Sequence, residues 1–161
     1  MNVTEALIAD IVHRVMEAGD FLQGDQPFKK ERDPSGITHI QVSTVKCEPF
    51  EGREDVRLKD VMTLEEAPRM GAGVMEVDHT DFEWTLSYDE YDMVLEGTLE
   101  IVIDERVVCG EAGDILYIPK GSHIHFRSPD KARFAYFVYP ADWQCQTVFW
   151  FCSCIKPLQT F

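Results

Sequence analysis

Positive charge is scarce in this chain. Lys and Arg number 15 against 29 Asp and Glu, leaving a formal net charge of −14. That balance excludes wrapping of nucleic acid and adsorption to an anionic membrane, both of which need clustered basic side chains. Paired cysteine motifs are absent too. Cys47, Cys109, Cys145, Cys152 and Cys154 are odd in number and irregularly spaced, with no Cys-x-x-Cys. This argues against a disulfide framework or a structural zinc, and for free thiols in a reducing compartment. Long apolar runs are missing: none approaches the ~20 residues that span a bilayer. Glu5, Asp10, Arg14 and Glu17 interrupt any secretory apolar core. The expectation is a soluble, cytoplasmic protein. Its 161 residues suffice for one domain that needs no covalent staple.

What is present falls into four segments. In residues 1–19, Leu7, Ile8, Ile11, Val12, Val15 and Met16 recur at helical spacing. Asn2 with Glu5 fits a capping box and Gly19 a stop, which predicts an amphipathic helix over 3–18. Residues 20–36 are rich in Gly, Pro and charge and read as a linker. Residues 37–144 switch to period two, with short strands expected at 38–45, 55–62, 71–78, 81–88, 91–104, 106–110, 114–119, 123–126 and 132–140. So many short strands indicate an all-β barrel or sandwich. Residues 145–161, with three cysteines and Phe149-Trp150-Phe151, are too apolar to stand free in water. They are expected to pack on the barrel or on a dimer partner, or else to bind another protein.

Two motifs name the fold. Glu90 stands seven residues before Gly97, and Gly113-Asp-Ile-Leu-Tyr-Ile-Pro119-Lys-Gly121 follows after fifteen more. In the second, a Gly turn opens a strand that ends at Pro, and a further Gly permits the next tight turn. The pair resembles the two signature motifs of the cupin superfamily, which implies a double-stranded β-helix, or jelly-roll barrel. Cupins typically bind one divalent metal through three His and a Glu. Here the His positions are held by Trp84, Leu86 and Ile124, and Glu90 alone remains. One carboxylate does not hold a transition metal tightly, so no tightly bound transition metal is expected. His123 and His125 flank position 124 and, by strand alternation, should point away from the interior.

Glu90 and Asp92 share a strand face, and Tyr88 joins them if the strand is continuous. Two carboxyls in a low-dielectric interior repel, so one pKa should rise. The pair suits acid/base work, a cation, or an ammonium group; the alternative is an Asp92 that only bonds backbone near the rim. Trp84, Leu86, Tyr117, Ile124 and Tyr136 are expected to line the cavity, with Tyr139 a further candidate. Lys120, in the turn Pro119-Lys120-Gly121, sits at a barrel mouth where it either meets an anion or is simply solvated.

The run Trp84-Thr-Leu-Ser-Tyr-Asp-Glu-Tyr-Asp-Met-Val-Leu-Glu-Gly97, with Gly113–Ser122 and Tyr139-Pro-Ala-Asp-Trp-Gln144, is similar to the EutQ family of ethanolamine utilisation. That resemblance implies a small-molecule ligand in the barrel, a homodimer, association with a bacterial microcompartment, and acetate kinase activity using ATP and Mg²⁺. The catalytic candidates are then Glu90, Asp92, Tyr88 and Lys120. No Gly-x-x-x-x-Gly-Lys-Ser/Thr phosphate loop is present to support the kinase reading independently. The N-terminal helix resembles the encapsulation peptides that dock cargo on shell proteins, although it can equally pack on its own barrel. Two rivals stay open: a non-catalytic binding or assembly module, and a metal-dependent cupin enzyme with a displaced site.

Overall fold

Strand pairing follows the period-two pattern closely. In a computed structural model of the chain, residues 27–144 are described. The expected helix, most of the linker and the apolar tail lie outside the described residues. Two compact units form, divided between Val45 and Lys46.

The first unit holds a small hairpin of β1 (Lys30–Arg32) and β2 (Thr38–Ile40), in register Glu31↔His39. Its turn is local chemistry: Ser35 N–H donates to Asp33 Oδ1 at 2.6 Å, and Gly36 takes a φ of 94°. A 3-10 turn follows at Val42–Thr44. This corrects two expectations. The supposed linker contributes a strand, and residues 38–45 belong to this hairpin unit, so the barrel unit begins after them.

The second unit contains β3 (Glu48–Phe50), β4 (Arg53–Asp60), β5 (Gly71–Asp78), β6 (Asp81–Thr85) and β7 (Asp89–Ile103). It continues with β8 (Arg106–Glu111), β9 (Ile115–Ile118), β10 (His123–Arg127) and β11 (Lys131–Tyr139). Hydrogen bonding runs β3-β4-β5-β11-β7-β10-β6, with β8 and β9 also on β7, and every pairing is antiparallel. The long strand β7 serves two layers. Its first half pairs with β11 and β9, and its second half with β8 and β10. It bends at Gly97, whose φ is 73° and where a Cβ would lie 1.8 Å from the Lys131 carbonyl oxygen. The facing strand shifts register between Arg133 and Phe134, a bulge that lets the sheet curl. Glu96-Gly97 is therefore a bend inside one strand.

The hydrogen-bond path has two ends, β3 and β6, and side chains close it. Phe50 on β3 packs on Phe82 and Trp84 of β6, with ring centroids 5.9 and 5.8 Å apart. Pro49 is tolerated because β3 is an edge strand. Phe134, Leu99, Val56 and Val77 are fully buried between the layers. On β10, Ile124 and Phe126 face in while His123 and His125 face out, as alternation requires. The thiols of Cys47 and Cys109 are free. Among the described residues no helix is long and apolar enough to cross a membrane.

Candidate functional site

A polar row crosses the curled sheet. In register, Asp60 on β4 faces Gly73 on β5, Gly73 faces Tyr136 on β11, and Tyr136 faces Asp92 on β7. Tyr136 reaches across β5 and donates to Asp60 Oδ1 at 2.6 Å. Only glycine permits this crossing, since a Cβ at position 73 would lie 2.1 Å from the phenol ring. Burial raises the Tyr136 hydroxyl above the usual phenol range, and Asp60 adds to it, so the group stays protonated and donates.

Two residues before Asp92, Glu90 points into the same interior. A cavity of about 30 Å³, room for a water molecule or two, opens beside it. Glu90, Trp84, Tyr88, Tyr136, Trp143 and Phe82 are among its walls. Trp84 Nε1 donates to the Tyr88 hydroxyl at 2.7 Å. Trp143 braces the enclosure, with ring centroids 6.1 Å from Tyr88 and 6.2 Å from Tyr136.

Asp92 is fully buried behind Glu90, and neither of its oxygens has a donor; Ser87 Oγ nearby in sequence is likewise unpartnered. Burial pushes both carboxyls up: Glu90 to about 7, and Asp92 well above its usual range with Glu90's charge adding to it. A proton on Asp92 resolves the unpaired oxygens, because it can be donated to Glu90, which Tyr88 also reaches. The resting pair therefore carries at most one negative charge, centred on Glu90.

Of the expected site residues, Glu90, Tyr88, Trp84 and Tyr136 meet at this cavity, with Asp92 directly behind. Leu86 and Ile124 are buried in the apolar core and are not on its wall. Tyr117 does not line it: it is 53% exposed, and its hydroxyl donates to Asp89 Oδ1 at 3.0 Å on the outer face. Inward-facing Leu116 and Ile118 force that orientation. Tyr139 is exposed as well. Lys120 lies beside a separate surface hollow with Ser122, His123 and His125, so it is not brought to Glu90. His123 Nε2 and Glu83 approach to 3.0 Å, and His125 pairs with Asp81, both on the outer face.

Asp60, Phe50, Phe82 and Trp143 were not foreseen. Asp60 and Phe82 carry an alternation signal, in line with Val56 and Leu58 and with Trp84; Phe50 and Trp143 sit where no long period exists to count. Among the described residues, no three His, Cys, Asp or Glu side chains are grouped to hold a metal ion. The cupin ligand positions are filled instead by an indole and two aliphatic side chains.

The family described as "Ethanolamine utilisation protein EutQ" matches residues 3–145. The chain belongs to that family. It is 44% identical over 154 residues to the protein named acetate kinase EutQ of Clostridioides difficile, covering 90% of this chain and 97% of that relative. It is 40% identical over 146 residues to the protein of the same name of Salmonella typhimurium, covering 88% of this chain but 64% of the relative. The chain thus spans just under two thirds of that second protein. The solved structure of the Clostridium difficile EutQ protein, 48% identical, superposes with a TM-score of 0.73 over 76% of this chain and 94% of that one. A cupin superfamily protein of Desulfitobacterium hafniense, 13% identical, gives a TM-score of 0.53 over 71% of this chain and 96% of its own, which establishes the cupin fold. This member of the EutQ family thus has a cupin barrel whose inner cavity is walled largely by aromatic side chains.

Proposed function

We propose that this chain is an acetate kinase of ethanolamine utilisation, acting in the cytoplasm in association with a bacterial microcompartment. The observation that carries the reading is its identity to a relative of that name over 97% of the relative's length. In the reaction an acetate oxygen forms a bond to the γ-phosphorus of ATP as the bond to the ADP oxygen breaks. No net proton is needed. Catalysis of this kind is mainly positioning and charge neutralisation.

The cavity supports the acceptor half of that reaction. Glu90, when protonated, can donate to one acetate oxygen and leave the other turned toward the mouth; Tyr88 and Asp92 hold Glu90 in place. The nucleotide half does not fit this wall. Among the described residues no Lys or Arg lines the cavity. Mg²⁺ bound through one or two carboxylates keeps several waters, and these need more than the room available. No step is therefore assigned to Glu90 or Asp92 as metal ligands.

A hydroxamate assay for acetyl phosphate tests the reading. Wild type should form product, and Glu90→Leu, which removes the donor, should lower the rate about tenfold or more. Equal rates would refute the role of Glu90. No product from either would favour the assembly-module reading. For the expected shell-docking helix, deletion of residues 1–19 should leave the barrel folded and abolish co-sedimentation with shells; unchanged co-sedimentation removes that proposal.

A further inference from the structure

The inner cavity holds acid without base. Among the described residues, Glu90 is the one acidic side chain on its wall, and no Lys or Arg lines it. Asp92 behind it is fully buried with both oxygens lacking a donor. Around Glu90 stand the rings of Trp84, Tyr88, Tyr136 and Trp143, with Trp84 and Trp143 6.3 Å apart, centroid to centroid. Aromatic faces carry negative potential and attract cations, most strongly where water is excluded.

We propose that this cavity binds a small primary ammonium ion, of which the ethanolamine in the family's description is one instance. The ammonium group pairs with ionised Glu90, the aromatic rings enclose it, and its short polar tail extends to the mouth. Size selects the class. An ammonium group occupies about the space of a water, matching a cavity of about 30 Å³. A hydrated divalent cation or a bulky quaternary amine does not fit. Charge selects it again: ionised Glu90 attracts an ammonium group, and an anion is accommodated only when Glu90 carries its proton. Asp92 supplies the stoichiometry: by keeping its proton and donating it to Glu90, it leaves one negative charge for one ammonium. The inference does not depend on the kinase reading. If that reading holds, amine and acetate compete for Glu90.

Titration calorimetry of the full chain in phosphate buffer tests it, with ethanolamine hydrochloride, ethylene glycol and sodium acetate as probes. Ethanolamine should bind saturably and ethylene glycol should not. Glu90→Gln should weaken ethanolamine binding about tenfold or more, the scale of losing one charge-assisted hydrogen bond. Equal heats from ethanolamine and ethylene glycol overturn the proposal, as does full affinity in Glu90→Gln. Saturable acetate binding without amine binding also overturns it, while favouring the acceptor reading. If Glu90→Gln does not fold, the comparison of ethanolamine with ethylene glycol on wild type decides alone.

Discussion

Glu90 stores an acid–base consequence in the fold. Its carboxyl is pushed up to about 7 by burial, so the folded state holds its proton more tightly than the unfolded chain does. The associated stability is complete at low pH, where both states are protonated. It is lost as pH rises from the ordinary carboxylate range through about 7. The loss is roughly 3 kcal/mol, and Asp92 acts in the same direction. Thermal melts in amine-free buffer should therefore show wild type weakening toward about pH 8. Glu90→Gln, neutral throughout, should show a flatter profile and the higher melting temperature at the alkaline end. An identical pH profile in both proteins would place the titration elsewhere. Gly73 makes a steric counterpart. Gly73→Ala should displace the Tyr136 ring from its bond to Asp60 and cost roughly 2 kcal/mol, read by denaturant unfolding.

At the scale of elements, β7 decides the architecture because it changes layers at one residue. Gly97→Ala adds a Cβ against the Lys131 carbonyl while demanding a positive φ of a side-chain-bearing residue. A loss of roughly 3 kcal/mol is expected in equilibrium unfolding. A small loss would mean that β11 can slide away. The strands from β4 onward were legible because polar and apolar residues alternate, as in Val56-Arg57-Leu58-Lys59. Where both faces are apolar the parity was hidden. Asp114-Ile-Leu-Tyr-Ile118 gives no sign that Tyr117 turns outward; the inward seats of Leu116 and Ile118 settle it. Strand β3 is three residues long and carries Pro49, too little for a period to register. The Glu90–Asp92 half of the site was legible from the cupin spacing and strand alternation. Trp143 was not, because it arrives from an irregular segment whose direction only tertiary packing fixes.

For the whole molecule, the outer face of the β11-β7-β9 layer matters. Tyr91, Met93, Ile115, Tyr117, Phe137 and Tyr139 are exposed there as neighbours in register. A contiguous apolar patch on a protein of this net charge calls for a cover. We propose that the homodimer implied by the family resemblance buries this patch. Tyr91→Arg combined with Phe137→Arg should convert a dimer to a monomer in size-exclusion chromatography with light scattering, leaving the fold's circular dichroism unchanged. A dimer that persists would move the seam. Trp143 has a consequence at the same scale. Its indole belongs to no strand, yet it forms part of the chamber wall, so the width of the binding space is governed by the route of the backbone just after Tyr139. Related chains could admit larger guests by rerouting that short stretch, with every strand of the scaffold left as it is.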